Sequence, residues 1–440
     1  MLERLFHLRE HGTTLRSEIV GGATTFATMA YIIFVQPAVL SAAGMDFGAV
    51  MVATCIASAV ACFAMAFLAN YPVALAPAMG HNFYFTFTVC LAMGVPWQKA
   101  LAAVFTAGAI FMLLSVFRFR SFILRAIPRS LQSAIAVGIG LLIAFVGLQW
   151  AGLVVANPGT MVGLGNLGSR PVLLSLFGLL VTSTLMARRV RGALLWGIAL
   201  SAILGLVLGL VRFQGVASPP PSLGPTFLKL DFSGLFDLSL VTVVIVFLYL
   251  DIFDTVGTLV GVAQQAGLMR NGDLPRSERA LFADATGTTV GALLGTSTVT
   301  SYIESAAGVA EGSRTGLSNL VTGTLFLIAL FFHPLVKMIG GGIEIGDGAF
   351  LYPVTAPVLI IVGSLMLGSI RHVPLDEPSE TIPAFLTMIG MPLFFSISDG
   401  LALGLVSYAI LKILSGQARK TSPLIYVLAL LFALRYAFLT

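Results

Sequence analysis

The chain has 440 residues, of which 58% are hydrophobic and only 10% are charged, and its mean hydropathy is +0.99. A water-soluble protein of this length and composition would have a largely apolar surface, so the soluble classes are excluded. The formal net charge of +5 does not indicate nucleic-acid binding. It is typical of a membrane protein whose basic residues collect on one side of the bilayer.

Apolar stretches of about 20 residues, the length needed to cross a hydrocarbon core, recur between Thr24 and Leu414. They predict a polytopic helical protein with fourteen spans, some of them too short to cross as a simple helix. The predicted spans are 22–43, 51–69, 73–93, 97–117, 130–150, 171–188, 192–212, 238–265, 280–295, 297–311, 315–336, 349–370, 382–397 and 399–415.

Basic residues give this count an orientation, because Lys and Arg favour cytoplasmic loops. With a cytoplasmic N-terminus, every basic cluster falls on one side, and both ends of the helical body face the cytoplasm. The clusters are Arg4/Arg9/Arg16, Arg118/Arg120/Arg125/Arg129, Arg188/Arg189/Arg191, Arg270/Arg276/Arg279, Arg314 and Arg419/Lys420. The apolar tail at 423–439 contains Arg435, which indicates an interfacial helix rather than a further span.

Two segments break the helical pattern. YPVALAPAMGHNFYF places Pro72, Pro77 and Gly80 inside an apolar run, and GTSTVTSYIESAAG has a hydroxyl-rich stretch at 296–301. Non-helical backbone at membrane depth persists only where it is buried in protein or lines a cavity. Interrupted segments in corresponding places of two halves indicate a transporter binding site.

The spacing of these segments predicts an internal repeat. Gly80 and Tyr302 are 222 residues apart, close to half of the chain, and each lies in the third span of a seven-span half. An odd number of spans per repeat gives inverted topology, and the same offset places Asp254 opposite Ile32. We therefore divide the chain into a first repeat (1–212), an extracytoplasmic linker (213–237), a second repeat (238–415) and a cytoplasmic-side interfacial tail (416–440).

Two acidic residues, Asp254 and Glu304, lie inside these apolar stretches. An ionisable side chain at that depth costs about 2.5–3.5 kcal/mol on insertion scales, so it usually faces a cavity and serves transport or proton relay. No Lys or Arg lies in the central part of a predicted span, which favours function over an internal salt bridge. Asp251 either lines the same cavity or caps an internal network, and Asp284 either caps broken-helix amides or relays protons.

The first interruption also carries polar and aromatic candidates. His81 is either a packing residue or a ligand-binding one, and Asn82 suits either a substrate or an unwound backbone. Phe83 and Tyr302 have flat faces for a flat ligand, although most aromatic residues in membrane helices serve packing. Cys55, Cys62 and Cys90 follow no metal-ligand spacing, and we expect no metal site.

At these residues the sequence resembles the nucleobase–cation symporter-2 family (nucleobase/ascorbate transporters), in particular its AzgA-like branch of adenine, guanine and hypoxanthine permeases. The matching blocks are GGATTFATMAYIIFVQPAVLSAAGM (21–45), ALAPAMGHNFYFTFTV (74–89), FLYLDIFDTVGTLVGVA (247–263), GTSTVTSYIESAAGVAEGSRTGL (295–317) and IPAFLTMIGMPLFFSISDGLALG (382–404).

The resemblance implies an all-α membrane protein of fourteen helices in two inverted seven-helix repeats. It also implies a core domain (spans 1–4 and 8–11) that moves against a gate domain (spans 5–7 and 12–14), with short strands in spans 3 and 10 that meet at mid-membrane. The family's acids in spans 8 and 10 match Asp254 and Glu304, its span-3 aromatic matches Phe83, and Thr258 lies where some relatives carry His or Asp. Close relatives read PGMGLN where this chain has Ala78 and His81, a difference that bears on substrate choice and pH response.

Together these features predict a transporter, not an enzyme, that imports purine nucleobases with protons by an elevator-like motion in the inner membrane of a bacterium. The predicted substrate-binding residues are Asp254, Glu304, Phe83, Tyr302, Asn82, Gly80 and Thr258. The predicted proton-coupling residues are Glu304, Asp254 and Asp284. No resident cofactor and no nucleic-acid partner are expected, and family resemblance implies a homodimer through the gate domain.

Two alternatives stay open. Sodium could replace the proton, with hydroxyls such as Ser297, Thr298 and Thr300 as ligands. An anion transporter of the sulfate or bicarbonate type would share the fold, although Glu304 would repel an anion.

Overall fold

The computed structural model describes residues 2–116, 128–269, 274–346 and 349–438. Within these ranges the regular secondary structure is helical apart from three short antiparallel strand pairs, and turns and irregular segments connect the elements. The helices are α1 (Leu2–Phe6), α2 (Leu15–Met29), α3 (Ile32–Ser41), α4 (Phe47–Ala64), α5 (Met79–Phe83), α6 (Trp97–Val116), α7 (Arg129–Trp150), α8 (Arg170–Ala187), α9 (Ala193–Val207), α10 (Leu238–Gln265), α11 (Ser277–Leu294), α12 (Ser305–Ala310), α13 (Leu317–Ala329), α14 (His333–Gly340), α15 (Ala356–Met366), α16 (Pro378–Phe394), α17 (Ile397–Leu414) and α18 (Pro423–Phe438). The strands are β1 (Leu75–Pro77), β2 (Val154–Asn157), β3 (Met161–Leu164), β4 (Val299–Ser301), β5 (Ile343–Gly346) and β6 (Ala349–Leu351).

The described chain is that of a polytopic membrane protein. By length and composition, eight of its helical segments can cross a bilayer, and three shorter apolar helices accompany them. The predicted span at 238–265 coincides with α10, and the span at 130–150 coincides with α7 to within one residue. The predicted basic residues Arg118, Arg120, Arg125 and Arg270 lie outside the described residues.

The strands β1 and β4 interrupt the helical pattern at the two predicted places. They pair antiparallel with Leu75 opposite Ser301 and Pro77 opposite Val299, and every residue of both strands is buried. The pairing continues beyond the strands, because the Ala78 amide donates to the Thr298 carbonyl oxygen at 2.9 Å. Strands 224 residues apart in sequence therefore satisfy each other's backbone groups where no lipid or water could do so.

Side chains complete the hydrogen bonding of the unwound backbone around β1. Asn319 on α13 donates to the carbonyl oxygens of Tyr71 and Val73 at 2.9 and 2.7 Å. The Ser305 hydroxyl accepts from the Ala74 amide at 2.9 Å. These contacts remove the cost of leaving buried peptide groups unpaired, roughly 1–3 kcal/mol each.

The helices pack in two groups. The first joins α2, α4, α6, α10, α11, α12 and α13 around the β1–β4 pair, and the second joins α7, α8, α9, α15, α16 and α17. Small residues permit the close helix crossings that are typical of membrane bundles. A Cβ at Gly363 on α15, for example, would lie 2.3 Å from the Gly140 carbonyl oxygen on α7.

A break between α2 and α3 places Tyr31 in the interior of the first group. Pro37 lies inside α3, where its missing amide hydrogen removes one helical hydrogen bond. The Tyr31 side chain is buried and points toward the segment that follows β4. The first predicted span is therefore two helices, with Tyr31 at their junction.

The buried carboxylate of Glu18 ties α2 to the start of α13. It accepts hydrogen bonds from the amides of Arg314, Thr315 and Ser318 at 2.7, 3.2 and 3.1 Å. Helix-start amides have no intrahelical partners, and the positive end of the helix favours an anion.

We expect Glu18→Ala to lower the free energy of unfolding by about 3 kcal/mol, because it leaves buried amides without an acceptor. Glu18→Gln should have a smaller effect, since its amide oxygen still accepts. The midpoint of thermal unfolding of the purified protein in detergent measures both. Equal midpoints for Glu18→Ala and the unchanged protein would contradict this role.

Candidate functional site

A cavity of about 280 Å³ lies between the two helix groups. Its volume is near the lower end of the range for small-molecule sites, roughly 300–1,000 Å³. Helices α5 and α10 form one wall, and α7, α15 and the turn after α15 form the other. The lining residues are Gly80, His81, Gln132, Ser133, Ile135, Ala136, Ile139, Tyr249, Leu250, Phe253, Asp254, Gly257, Thr258, Met366 and Ser369.

Asp254 is the acidic residue of this lining. It sits in the middle of α10 with an exposed side chain, and one carboxylate oxygen accepts from the Thr300 hydroxyl of β4 at 3.2 Å. The other oxygen accepts a hydrogen bond from no described residue and is available to a ligand. Thr258, one turn further along α10, adds a hydroxyl to the same wall.

Glu304 lies immediately after β4, in the turn before α12, and is half-buried. Its carboxylate accepts from the Tyr31 hydroxyl at 2.7 Å. It is near enough to Asp254 for the two groups to interact electrostatically, although it does not belong to the lining of the cavity. The structure thus places the two predicted acids on either side of the end of β4.

Three predicted pocket residues are buried away from the cavity. Phe83, at the end of α5, stacks on Phe87 with ring centroids 5.6 Å apart; Phe87 lies in the π-helix Tyr84–Ala92 that continues α5. Tyr302 donates its hydroxyl hydrogen to the Pro77 carbonyl oxygen and so fastens β4 to β1. In this structure neither aromatic side chain walls the cavity.

Asn82 is also buried and serves the backbone rather than the cavity. Its amide donates to Gln36 at 2.8 Å, and Gln36 in turn donates to the hydroxyls of Thr296 and Ser297 at 2.9 and 2.8 Å. This network of side-chain hydrogen bonds joins α5, α3 and the approach to β4.

Gly80 and His81 are the residues of α5 that reach the cavity. A Cβ at Gly80 would lie 2.8 Å from the Ile139 side chain on α7, so glycine permits the close approach of the two walls. His81 is only 2% exposed, and neither ring nitrogen bonds a described residue.

Aromatic residues that sequence reasoning did not single out line the cavity instead. Tyr249 and Phe253 on α10 pack together with ring centroids 4.5 Å apart, and the Tyr249 hydroxyl bonds no described residue. Their spacing of four residues, with Phe253 beside Asp254, is a signal that could have identified them.

Tyr31, whose hydroxyl bonds Glu304, is a further residue that the sequence pattern did not identify. The offset between the two repeats placed Ile32 opposite Asp254, and Tyr31 is the residue next to Ile32.

The chain matches known proteins over nearly its whole length. The sequence model of the Permease family, Xan_ur_permease, matches residues 16–399. The chain is 44% identical to the adenine permease AdeP of Escherichia coli (strain K12) over 440 residues, which cover all of this chain and 96% of AdeP. It is 45% identical to the guanine/hypoxanthine permease PbuG of Bacillus subtilis (strain 168) over 450 residues, covering all of both chains.

Solved structures with a similar fold are more distant. The transmembrane domain of the cyanobacterial bicarbonate transporter BicA aligns with a TM-score of 0.64 at 15% identity, over 89% of this chain and 97% of that domain. The structure of SLC26A9 aligns with a TM-score of 0.65 at 12% identity, over 91% of this chain and 66% of that one. At such identities the likeness shows the fold alone.

We expect Gly257→Cys and Ser133→Cys to react with a water-soluble maleimide, because both positions line the cavity and a Cβ at Gly257 meets no atom within 4 Å. Thr255→Cys, on the same helix but fully buried, should react no faster than the unchanged protein, whose three cysteines set the background. Mass spectrometry of the labelled protein measures the extent. Equal labelling at positions 255 and 257 would contradict the assignment of Gly257 to the side of α10 that faces the cavity.

Proposed function

Because the chain belongs to the nucleobase/ascorbate transporter family of permeases, we propose that it imports purine nucleobases together with protons. It is a multi-pass membrane transporter and not an enzyme, as its permease relatives indicate. The observation that carries the proposal is a compact cavity that sets one carboxylate, Asp254, beside the aromatic pair Tyr249 and Phe253.

This lining suits the chemistry of a purine base. A purine is flat and neutral, and it offers N–H donors at its edge. The Asp254 carboxylate accepts such donors in charge-assisted hydrogen bonds, and the aromatic rings contact the flat face. Glu304 lies close enough to take part once the base is bound, and Thr258 and the Tyr249 hydroxyl are further polar partners along the same wall.

The position of the cavity supports alternating access by relative motion of the two helix groups. One wall belongs to the group that holds β1 and β4, and the other wall belongs to the group built on α7 and α15. The cavity reaches Gln132, Ser133 and Ser369, next to the predicted cytoplasmic loops. In the proposed orientation, with a cytoplasmic N-terminus in a bacterial inner membrane, the site is open toward the cytoplasm.

An anion is a poorer substrate for this site than a neutral base. The similar solved folds include a bicarbonate transporter. At 15% identity, however, a shared fold does not imply a shared substrate. The described lining residues include no Lys or Arg, and they include Asp254.

Uptake of labelled adenine, guanine and hypoxanthine into cells that lack their own purine permeases tests the proposal. We expect saturable uptake of at least one purine, competition by the other purines, and no competition by uracil, sulfate or bicarbonate. Sulfate or bicarbonate uptake without purine competition would overturn it.

We expect Asp254→Asn and Glu304→Gln each to lower the efficiency of purine uptake about 10- to 100-fold, since a hydrogen bond to a charged group contributes about 1.5–3 kcal/mol. Asp376→Asn, at an exposed position, is the matched control and should leave uptake unchanged. Immunoblots of isolated membranes verify equal amounts of protein. Full uptake by Asp254→Asn would show that the Asp254 carboxylate does not bind the purine.

A further inference from the structure

A second pair of acids lies behind β4, where the proposed purine site does not reach. Asp251 on α10 and Asp284 on α11 are 1% and 0% exposed, and their carboxyl groups are close enough to interact directly. Successive residues of a strand point to opposite faces. Accordingly Thr300 bonds the cavity acid Asp254, whereas its neighbour Ser301 bonds Asp284.

Each acid of this pair is only half satisfied by the protein. Asp251 Oδ2 accepts from the Thr288 hydroxyl at 3.1 Å, and Asp284 Oδ1 accepts from the Ser301 hydroxyl at 3.1 Å. Asp251 Oδ1 and Asp284 Oδ2 accept no well-formed hydrogen bond from a described residue, although the Thr255 hydroxyl lies close to Asp284. No salt bridge found among the described residues includes either acid.

Two adjacent buried carboxylates without a cation cannot both stay ionised at low cost, because burial and mutual repulsion both disfavour the second charge. One proton shared between the two carboxyl groups converts the repulsion into a hydrogen bond.

The Thr288 hydroxyl links this pair to the strand. It lies 3.1 Å from Asp251 Oδ2 and 2.8 Å from the Val299 carbonyl oxygen, and it accepts from the Val299 amide at 3.2 Å. A hydroxyl has one hydrogen to donate, so it serves either the acid or the strand. The charge on Asp251 therefore determines whether this hydroxyl donates to the acid or to the Val299 carbonyl oxygen of β4.

The surroundings supply few other charges. Asp254 is the nearest additional acid and interacts electrostatically with both members of the pair. Helices α4 and α6, which pack against α11, contribute only the thiols of Cys55 and Cys62 and, at the start of α6, Lys99. Glu278 and Arg279 lie in the first turn of α11, more than a helical turn from Asp284.

We propose that the Asp251–Asp284 pair is the site that holds the transported proton, an inference that rests on the proposed proton-coupled purine import. One proton binds between the two carboxylates from the outer side and leaves to the cytoplasm, so one O–H bond forms and the same bond later breaks. With the proton bound, Ser301 and Thr288 hold β4 against α11, and Thr300 on the opposite face holds Asp254 for the base. When the proton leaves, the ionised Asp251 draws the Thr288 hydrogen away from the Val299 carbonyl oxygen, and the loss of this bond loosens β4 and weakens purine binding.

Proteoliposomes that contain the purified protein separate coupling from binding. Two assays are compared: exchange of labelled for unlabelled purine at equal concentrations, and accumulation of purine driven by an imposed pH gradient. We expect Asp251→Asn, Asp284→Asn and the double variant to keep exchange and to lose gradient-driven accumulation. Each single variant has the net charge of the singly protonated pair, but the neutral amide cannot take up or release the shared proton. Asp376→Asn should retain both activities.

A direct readout distinguishes a transported proton from a permanently bound one. Infrared difference spectra on adding purine should contain a carboxyl signal that the Asp251→Asn and Asp284→Asn variants lack. Accumulation driven by the pH gradient in the double variant would overturn the inference, as would a sodium gradient that drives accumulation in the unchanged protein while a pH gradient does not. Absence of all purine exchange in the unchanged protein would instead overturn the proposed function itself.

Discussion

The requirement that every backbone group inside a membrane find a partner determines the centre of this protein. A strand of three residues in a span leaves amides and carbonyls that lipid cannot bond, and a single such break would be costly. Two spans of the described chain contain such a strand, and β1 and β4 satisfy each other. Tyr302 and Ala78 extend the pairing at its ends. The spans that carry the strands must therefore meet, and the residues that follow each strand are brought to the middle of the bundle.

The strand pairing also determines which acidic side chains are coupled through β4. Because neighbouring residues of a strand face opposite ways, β4 presents Thr300 to Asp254 and Ser301 to Asp284. A shift of β4 by a fraction of a hydrogen-bond length changes both contacts together. Binding on one face can thus influence protonation on the other face without a long chain of intermediates, and reciprocity is required by linkage.

The sequence predicted the elements better than the directions of their side chains. The sequence predicts one span at 238–265, and α10 has the same bounds. The segment is predominantly apolar and contains no proline, so a single helix is the structure that its sequence favours. The interruption at 296–301 was located to within the strand that forms there. Phe83 and Tyr302 were expected to wall the pocket, but both are buried in packing and backbone contacts. The direction of a side chain on a five-residue helix or beside a strand depends on neighbours hundreds of residues away, which spacing does not reveal.

The fold neighbours show why substrate class must be argued from the site. A bicarbonate transporter domain shares this architecture, so paired strands and crossing helices do not by themselves select a purine. The charge lining the cavity does distinguish the two classes of substrate. An anion about 4 Å from an ionised Asp254 would meet a repulsion of about 4 kcal/mol at an effective dielectric constant of 20, about a thousandfold in affinity. A neutral base with N–H groups instead gains a charge-assisted hydrogen bond at the same oxygen. In the proposed function, the Asp254 carboxylate on α10 therefore favours flat, neutral hydrogen-bond donors over anions.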